Sequence, residues 1–153
     1  MHNASGRKEQ KMVNPNRRMI RDSAMKLLFE KSLRDDSLEE LYAIAEEIDE
    51  IIVNDAVKEL VEGTIAHLAA IDEIIQRFSK KRSINRISKL NLTILRLAIY
   101  EILYDEGTPV NAAVSEAVIL AETYSASDED IRFVNGLLGA FTKELAEQGG
   151  SPS

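Results

Sequence analysis

Residues 55–78 read D-A-V-K-E-L-V-E-G-T-I-A-H-L-A-A-I-D-E-I-I-Q-R-F, and their apolar positions decide the fold class. Val57, Leu60, Val61, Thr64, Leu68, Ile71, Ile75 and Phe78 recur at three- and four-residue steps, which places them on one face of a helix. The pattern predicts a helix of about seven turns that starts near Asn54 or Asp55.

The same period continues on both sides. Toward the C-terminus, S-K-K-R-S-I-N-R-I-S-K (79–89) reads as a turn with a short helical piece. Leu92, Leu95, Ala98, Ile99, Ile102 and Leu103 then define another helix, which Gly107 and Pro109 stop. A further helix carries Val114, Ala117, Val118 and Ala121, and a last one, capped by Ser127, carries Val134, Leu137, Leu138, Phe141 and Leu145. Toward the N-terminus, Ser37 and Glu40 form a capping box ahead of Leu38, Leu41, Tyr42, Ala45 and Ile48. Before that, Ile20, Ala24, Leu27 and Leu28 mark a helix from Arg17 to about Lys31. No strand period competes, so the expectation is an all-α bundle of six to seven helices over 17–147. Residues 1–16 and 148–153 lack periodicity and are expected to form a flexible arm and tail.

Composition narrows the chemistry. With no cysteine and two histidines in 153 residues, thiolate catalysis, disulfides and thiolate zinc sites are excluded, and histidine metal sites nearly so. There is no glycine-rich phosphate loop, dinucleotide fingerprint or calcium loop, so the expectation is no catalytic residue, no metal and no cofactor. His67 has Gly63, Thr64, Ala70 and Ile71 at helical neighbour positions, and with no acid to orient it the residue reads as structural. No apolar run approaches a membrane span, and the N-terminus lacks a signal-peptide core, so a soluble cytoplasmic protein is expected.

The net charge of −7 hides an alternation. Residues 1–34 hold nine Lys/Arg and three Asp/Glu, and 77–96 hold seven and none. Residues 35–76 hold one and thirteen, and 97–153 two and ten. Such blocks fit a protein that meets a polyanion with one surface and a basic partner with another, and they equally fit solvated helix faces.

On the first helix, Arg18, Arg21, Met25 and Phe29 fall along one flank at about 100° per residue. Guanidinium groups in line with an aromatic ring suit single-stranded RNA, since phosphates meet the cations while a base stacks on the ring. The alternative is that Met25 and Phe29 widen the core face while the arginines snorkel. Lys80, Lys81, Arg82, Arg86 and Lys89 form a second basic group, and Arg96, inside an apolar helix, must reach a partner or solvent. Tyr100, Glu101 and Glu116 are candidate partners for it. Asn135 and Gly136 read as a close helix crossing with a buried amide.

R-x-x-R-D-x-A-M-x-L-L-F (18–29), I-L-R-L-A-I-Y-E-I-L (94–103), E-A-V-I-L-A-E-T-Y-S (116–125) and R-F-V-N-G-L-L-G (132–139) resemble, in order and spacing, the signatures of the NusB family of bacterial antitermination factors. The resemblance covers 17–147. It implies an all-α fold of two packed helical halves, a boxA RNA ligand, the basic ribosomal protein NusE as partner, and a place in a complex with RNA polymerase on ribosomal RNA operons. Its RNA-binding positions match Arg17, Arg18 and Arg21, then Phe29, where tyrosine is common, and Phe133 with Arg132 before it and Glu129 one turn earlier. Asn91 stands where an acidic RNA-side residue is frequent, Arg82 where tryptophan is, and Ser115 where asparagine is. Relatives differ in self-association, so a homodimer or helical adaptor in RNA processing, without direct boxA binding, is the alternative.

Overall fold

The computed structural model describes residues 15–80, 82–125 and 127–149. Among them it forms seven α-helices and no strand: α1 (Arg17–Leu33), α2 (Leu38–Glu46), α3 (Asp55–Ala66), α4 (Leu68–Phe78), α5 (Lys89–Tyr104), α6 (Val110–Tyr124) and α7 (Asp128–Glu147), with a 3₁₀ turn at Ile84–Arg86. Two compact units divide the chain, Met1–Gly63 and Thr64–Ser153, and their boundary falls inside α3. The arm expected at 1–16 and the tail expected at 148–153 lie largely outside the described residues.

In the first unit α1 packs on α2. The capping box forms as expected: Ser37 Oγ accepts from the Glu40 N–H at 3.2 Å, and Glu40 accepts from the Ser37 N–H at 2.8 Å. The irregular stretch between α2 and α3 is tied down by one bond the sequence did not reveal, from the Ile52 N–H to Ser23 Oγ at 2.8 Å. Asn54 Oδ1 accepts from the Val57 N–H at 2.8 Å and starts α3. Tyr42 donates to Glu62 at 2.8 Å, and burial together with this carboxylate pushes its phenol pKa well up.

In the second unit α5 packs against α4, α6 and α7, and α7 against α4 and α6. Ile94, Leu95, Ile99, Val134 and Leu138 are fully buried and form its centre. Phe78 of α4 meets Phe141 of α7 edge to face, with ring centroids 5.9 Å apart. Removing five such side chains from water stabilises this unit by roughly 10 kcal/mol before the entropy of ordering is counted.

Residues 55–78 are not one helix. At His67 the backbone leaves the helical region (φ −109°, ψ 20°), its N–H bonds Thr64 O at 3.3 Å, and the chain restarts as α4. The imidazole stacks on Tyr104 at 3.8 Å between centroids, with Tyr100 at 6.1 Å. The apolar stripe runs through the break because Val57, Leu60, Val61 and Thr64 on one side and Ile71 and Ile75 on the other are all buried. Periodicity reports which face is buried, and the backbone conformation of a single residue leaves no mark in it.

Candidate nucleic-acid interface

In the first unit Asn16 caps α1 by accepting from the Met19 N–H at 2.9 Å, and Arg17 and Arg18 occupy the first turn with no acid beside them in that turn. Cations at a helix N-terminus oppose the helix dipole, a cost of about 0.3–1 kcal/mol each, so the placement is electropositive at the expense of the helix. Arg18 is exposed and Arg17 half-buried.

The flank expected from sequence is narrower than its spacing suggested. Arg21 and Met25 are 7% and 2% exposed, and Phe29 is half-buried. The buried positions of α1 run from Ile20 through Arg21, Ser23, Ala24, Met25 and Leu27 to Leu28, an arc of about 200° around the helix. Met25 therefore widens the core face. Arg18 and Phe29 sit at the edge of that arc, within about 20° of each other and roughly 16 Å apart along the axis. They are an exposed cation and a half-buried ring on one edge of this helix.

In the second unit the start of α7 brings together Glu129, Arg132 and Phe133. Arg132 and Glu129 are exposed and Phe133 is half-buried beside the fully buried Val134. Ser127 Oγ accepts from the N–H groups of Glu129 and Asp130, and Asp128, Glu129 and Asp130 fill the first turn. The helix end is thus already capped and faced by carboxylates, which disfavours a phosphate at its N–H groups. Cations must come from side chains.

One comes from the basic turn. The Arg82 guanidinium lies over the Phe133 ring at 4.5 Å from its centroid, with Glu129 3.9 Å from Nη2. The turn's backbone is fixed: Ser79 Oγ donates to Arg82 O at 2.8 Å, and the Ile84 N–H donates to Gln76 Oε1 at 3.0 Å. Lys80, Arg86 and Lys89 are exposed around it, while Lys81 lies outside the described residues. Arg82 is the functional candidate that sequence reasoning left out of the site, and the signal for it was its planar cation at a position where the family favours a planar ring.

Asn91 does not reach the surface. It is 0% exposed at the start of α5, and neither Nδ2 nor Oδ1 has a hydrogen-bond partner among the described residues. Two other expectations are corrected here. Arg96 makes its two-pronged ion pair with Asp72, at 2.8 and 2.7 Å, where the sequence reading had put forward Tyr100, Glu101 or Glu116. Asn135 and Gly136 are exposed, and a Cβ on Gly136 would meet nothing within 4 Å, so they make no close crossing. His67 agrees with its structural reading, half-buried and held by ring stacking on Tyr104.

Fold and surface define an all-helical protein that presents basic and aromatic side chains on helix flanks. Among the described residues there is no group of three or more His, Cys, Asp and Glu able to hold a metal ion, and no helix long and apolar enough to cross a membrane. The sequence matches the NusB family over residues 18–143. It is 39% identical over 135 residues to the transcription antitermination protein NusB of Clostridium acetobutylicum, covering 87% of this chain and 99% of that protein. It is 37% identical over 138 residues to the protein of the same name from Heliobacterium modesticaldum, covering 88% of this chain and 66% of that longer protein. A crystal structure of antitermination factors NusB and NusE in complex with dsRNA is similar at a TM-score of 0.73 and 30% identity, over 84% of this chain and 96% of that one. The chain belongs to the NusB family.

Proposed function

We propose that this protein is a transcription antitermination factor that binds single-stranded boxA-type RNA together with the ribosomal protein NusE, within an RNA polymerase complex on ribosomal RNA operons. One observation carries the reading: 39% identity to a transcription antitermination protein NusB over 99% of that protein's length. The complex of NusB and NusE with dsRNA, similar in fold to this chain, supports NusE and RNA as the classes of partner. The protein acts by binding, without a catalytic step, in the bacterial cytoplasm, and its RNA-binding domain is 17–147.

Each unit supplies its own contacts. Arg17, Arg18 and Phe29 serve in the first, and Arg132 and Phe133 in the second, with the Glu129 carboxylate beside them. Arg21 and Asn91 are buried, and the proposed contacts do not include them. Because the chain as a whole carries −7, RNA binding by the protein alone is weak, and a basic partner that covers the acidic segments strengthens it. The coupling expected is about 1–3 kcal/mol, and it is reciprocal. Titrating a boxA-type RNA oligonucleotide into the protein, with and without saturating NusE, tests this. Tighter binding in the presence of NusE is the expected result. No RNA binding under either condition refutes the proposal and favours a helical adaptor or homodimer.

A further inference from the structure

Resting on the RNA-binding reading, we propose that Arg82 is itself a nucleotide-contacting residue and that Phe133 is its platform, so that the unit at the C-terminal end presents a stacked guanidinium to RNA in place of a bare ring.

The Phe133 ring is half-buried, and the Arg82 guanidinium lies over it at 4.5 Å from the centroid. A base approaching that face meets the cation first. A guanidinium is flat and weakly hydrated, stacks on aromatic rings and on bases, and keeps its N–H donors in the plane, where they can reach phosphate oxygens. Held over a ring, it is pre-oriented for both contacts, which lowers the rotamer entropy lost on binding.

The rest of the turn supports the assignment. Ser79, 3% exposed, donates to the Arg82 carbonyl, and Gln76 accepts from the Ile84 N–H, so the main chain on either side of Arg82 is anchored to α4 and its end. The side chain is partnered more loosely. Glu129 is 3.9 Å from Nη2 and its side chain is 76% exposed, a solvated ion pair that a phosphate with several acceptor oxygens can displace. The segment 77–96 contains no acid, and exposed Lys80, Arg86 and Lys89 make the surroundings positive. The α7 N–H groups beside it are taken up by Ser127 and faced by three carboxylates, so the nearby backbone offers no competing anion site.

The test measures binding of a boxA-type RNA oligonucleotide by the full chain with saturating NusE, at two salt concentrations. Wild type is compared with Arg82→Gln, Arg82→Lys, Phe133→Leu and the Arg82→Gln/Phe133→Leu double variant, after helical circular dichroism melts confirm that each is folded. Arg82→Gln is expected to weaken binding about tenfold and to flatten the plot of log affinity against log salt by about 0.7, the loss of one phosphate contact on a single strand. Arg82→Lys keeps the salt slope and regains only part of the affinity, since it restores charge without the plane. Phe133→Leu weakens binding in the wild-type background and adds little to Arg82→Gln, because the ring acts through the arginine. Two results overturn the proposal: Arg82→Gln binding within twofold of wild type at both salts, or equal losses from Phe133→Leu in both backgrounds, which would make the ring the contact by itself. If wild type binds no RNA, the underlying reading falls with it, an outcome distinct from either.

Discussion

Replacing Asn91 with leucine should make this protein more stable. Its side chain is 0% exposed and both polar atoms lack partners among the described residues, so no described protein group replaces the water that folding strips from this amide. Mutational data put the cost of an unsatisfied buried polar group at about 1–3 kcal/mol. Leucine is close to asparagine in size, and its extra apolar burial adds to the gain, while misfit in the surrounding core subtracts about 1 kcal/mol. The net expectation is a gain of about 1–3 kcal/mol, or roughly 3–8 °C in Tm for a chain of this length. The α5 cap survives the change, because Ser88 Oγ accepts from the backbone N–H of residue 91, at 3.1 Å. Urea denaturation followed by helical circular dichroism measures the difference, with Asn91→Asp as the opposite control: a carboxylate at this depth should destabilise strongly. RNA affinity with NusE should be the same for Asn91→Leu and wild type. A loss of 1 kcal/mol or more in Asn91→Leu would falsify the account of an unpaired amide, and a specific loss of RNA affinity would return Asn91 to the binding surface.

Changing Arg17 and Arg18 together to alanine should weaken boxA-type RNA binding and reduce the salt slope by about 1.4. Helical circular dichroism confirms that the variant is folded; unchanged RNA affinity at low salt would remove α1 from the interface. Tyr42→Phe should cost about 1 kcal/mol near neutral pH through loss of the bond to Glu62. The raised Tyr42 pKa means that the unfolded chain ionises first, so this group's contribution is complete below about pH 10 and fades as pH rises beyond it. Wild type and Tyr42→Phe should therefore converge in stability at alkaline pH, and a constant gap across that range would contradict the assignment. Asp72→Asn should destabilise by about 1–3 kcal/mol in denaturant melts, toward the lower end because the side chains of Arg96 and Asp72 are 20% and 28% exposed. A value indistinguishable from zero would mean that solvent replaces the pair.

The amino-acid sequence by itself determined the helical class, the polar caps and most of the buried face. Ser37 with Glu40, and Ser127, cap helices through bonds that span three residues or fewer, and such bonds depend only on local geometry. The apolar stripe from Val57 to Ile75 is legible for the same reason, since burial of a face follows a period that any reader of the sequence can count. The arginines at the start of α1 and the ring at Phe29 were legible as a candidate surface, although the burial of Arg21 and Met25 depended on how wide a face the packed core covers. What only the tertiary structure decided are relations between residues distant in the chain. The break at His67 accompanies stacking on Tyr104, 37 positions away, and the partner of Arg96 is Asp72, 24 positions back. Arg82 meets Phe133 because the turn after α4 is carried to the start of α7, a contact across 51 residues. Periodicity encodes which way a side chain faces from its own helix, and it carries no information about which other element comes to face it; that is fixed only when the packed core brings those helices together.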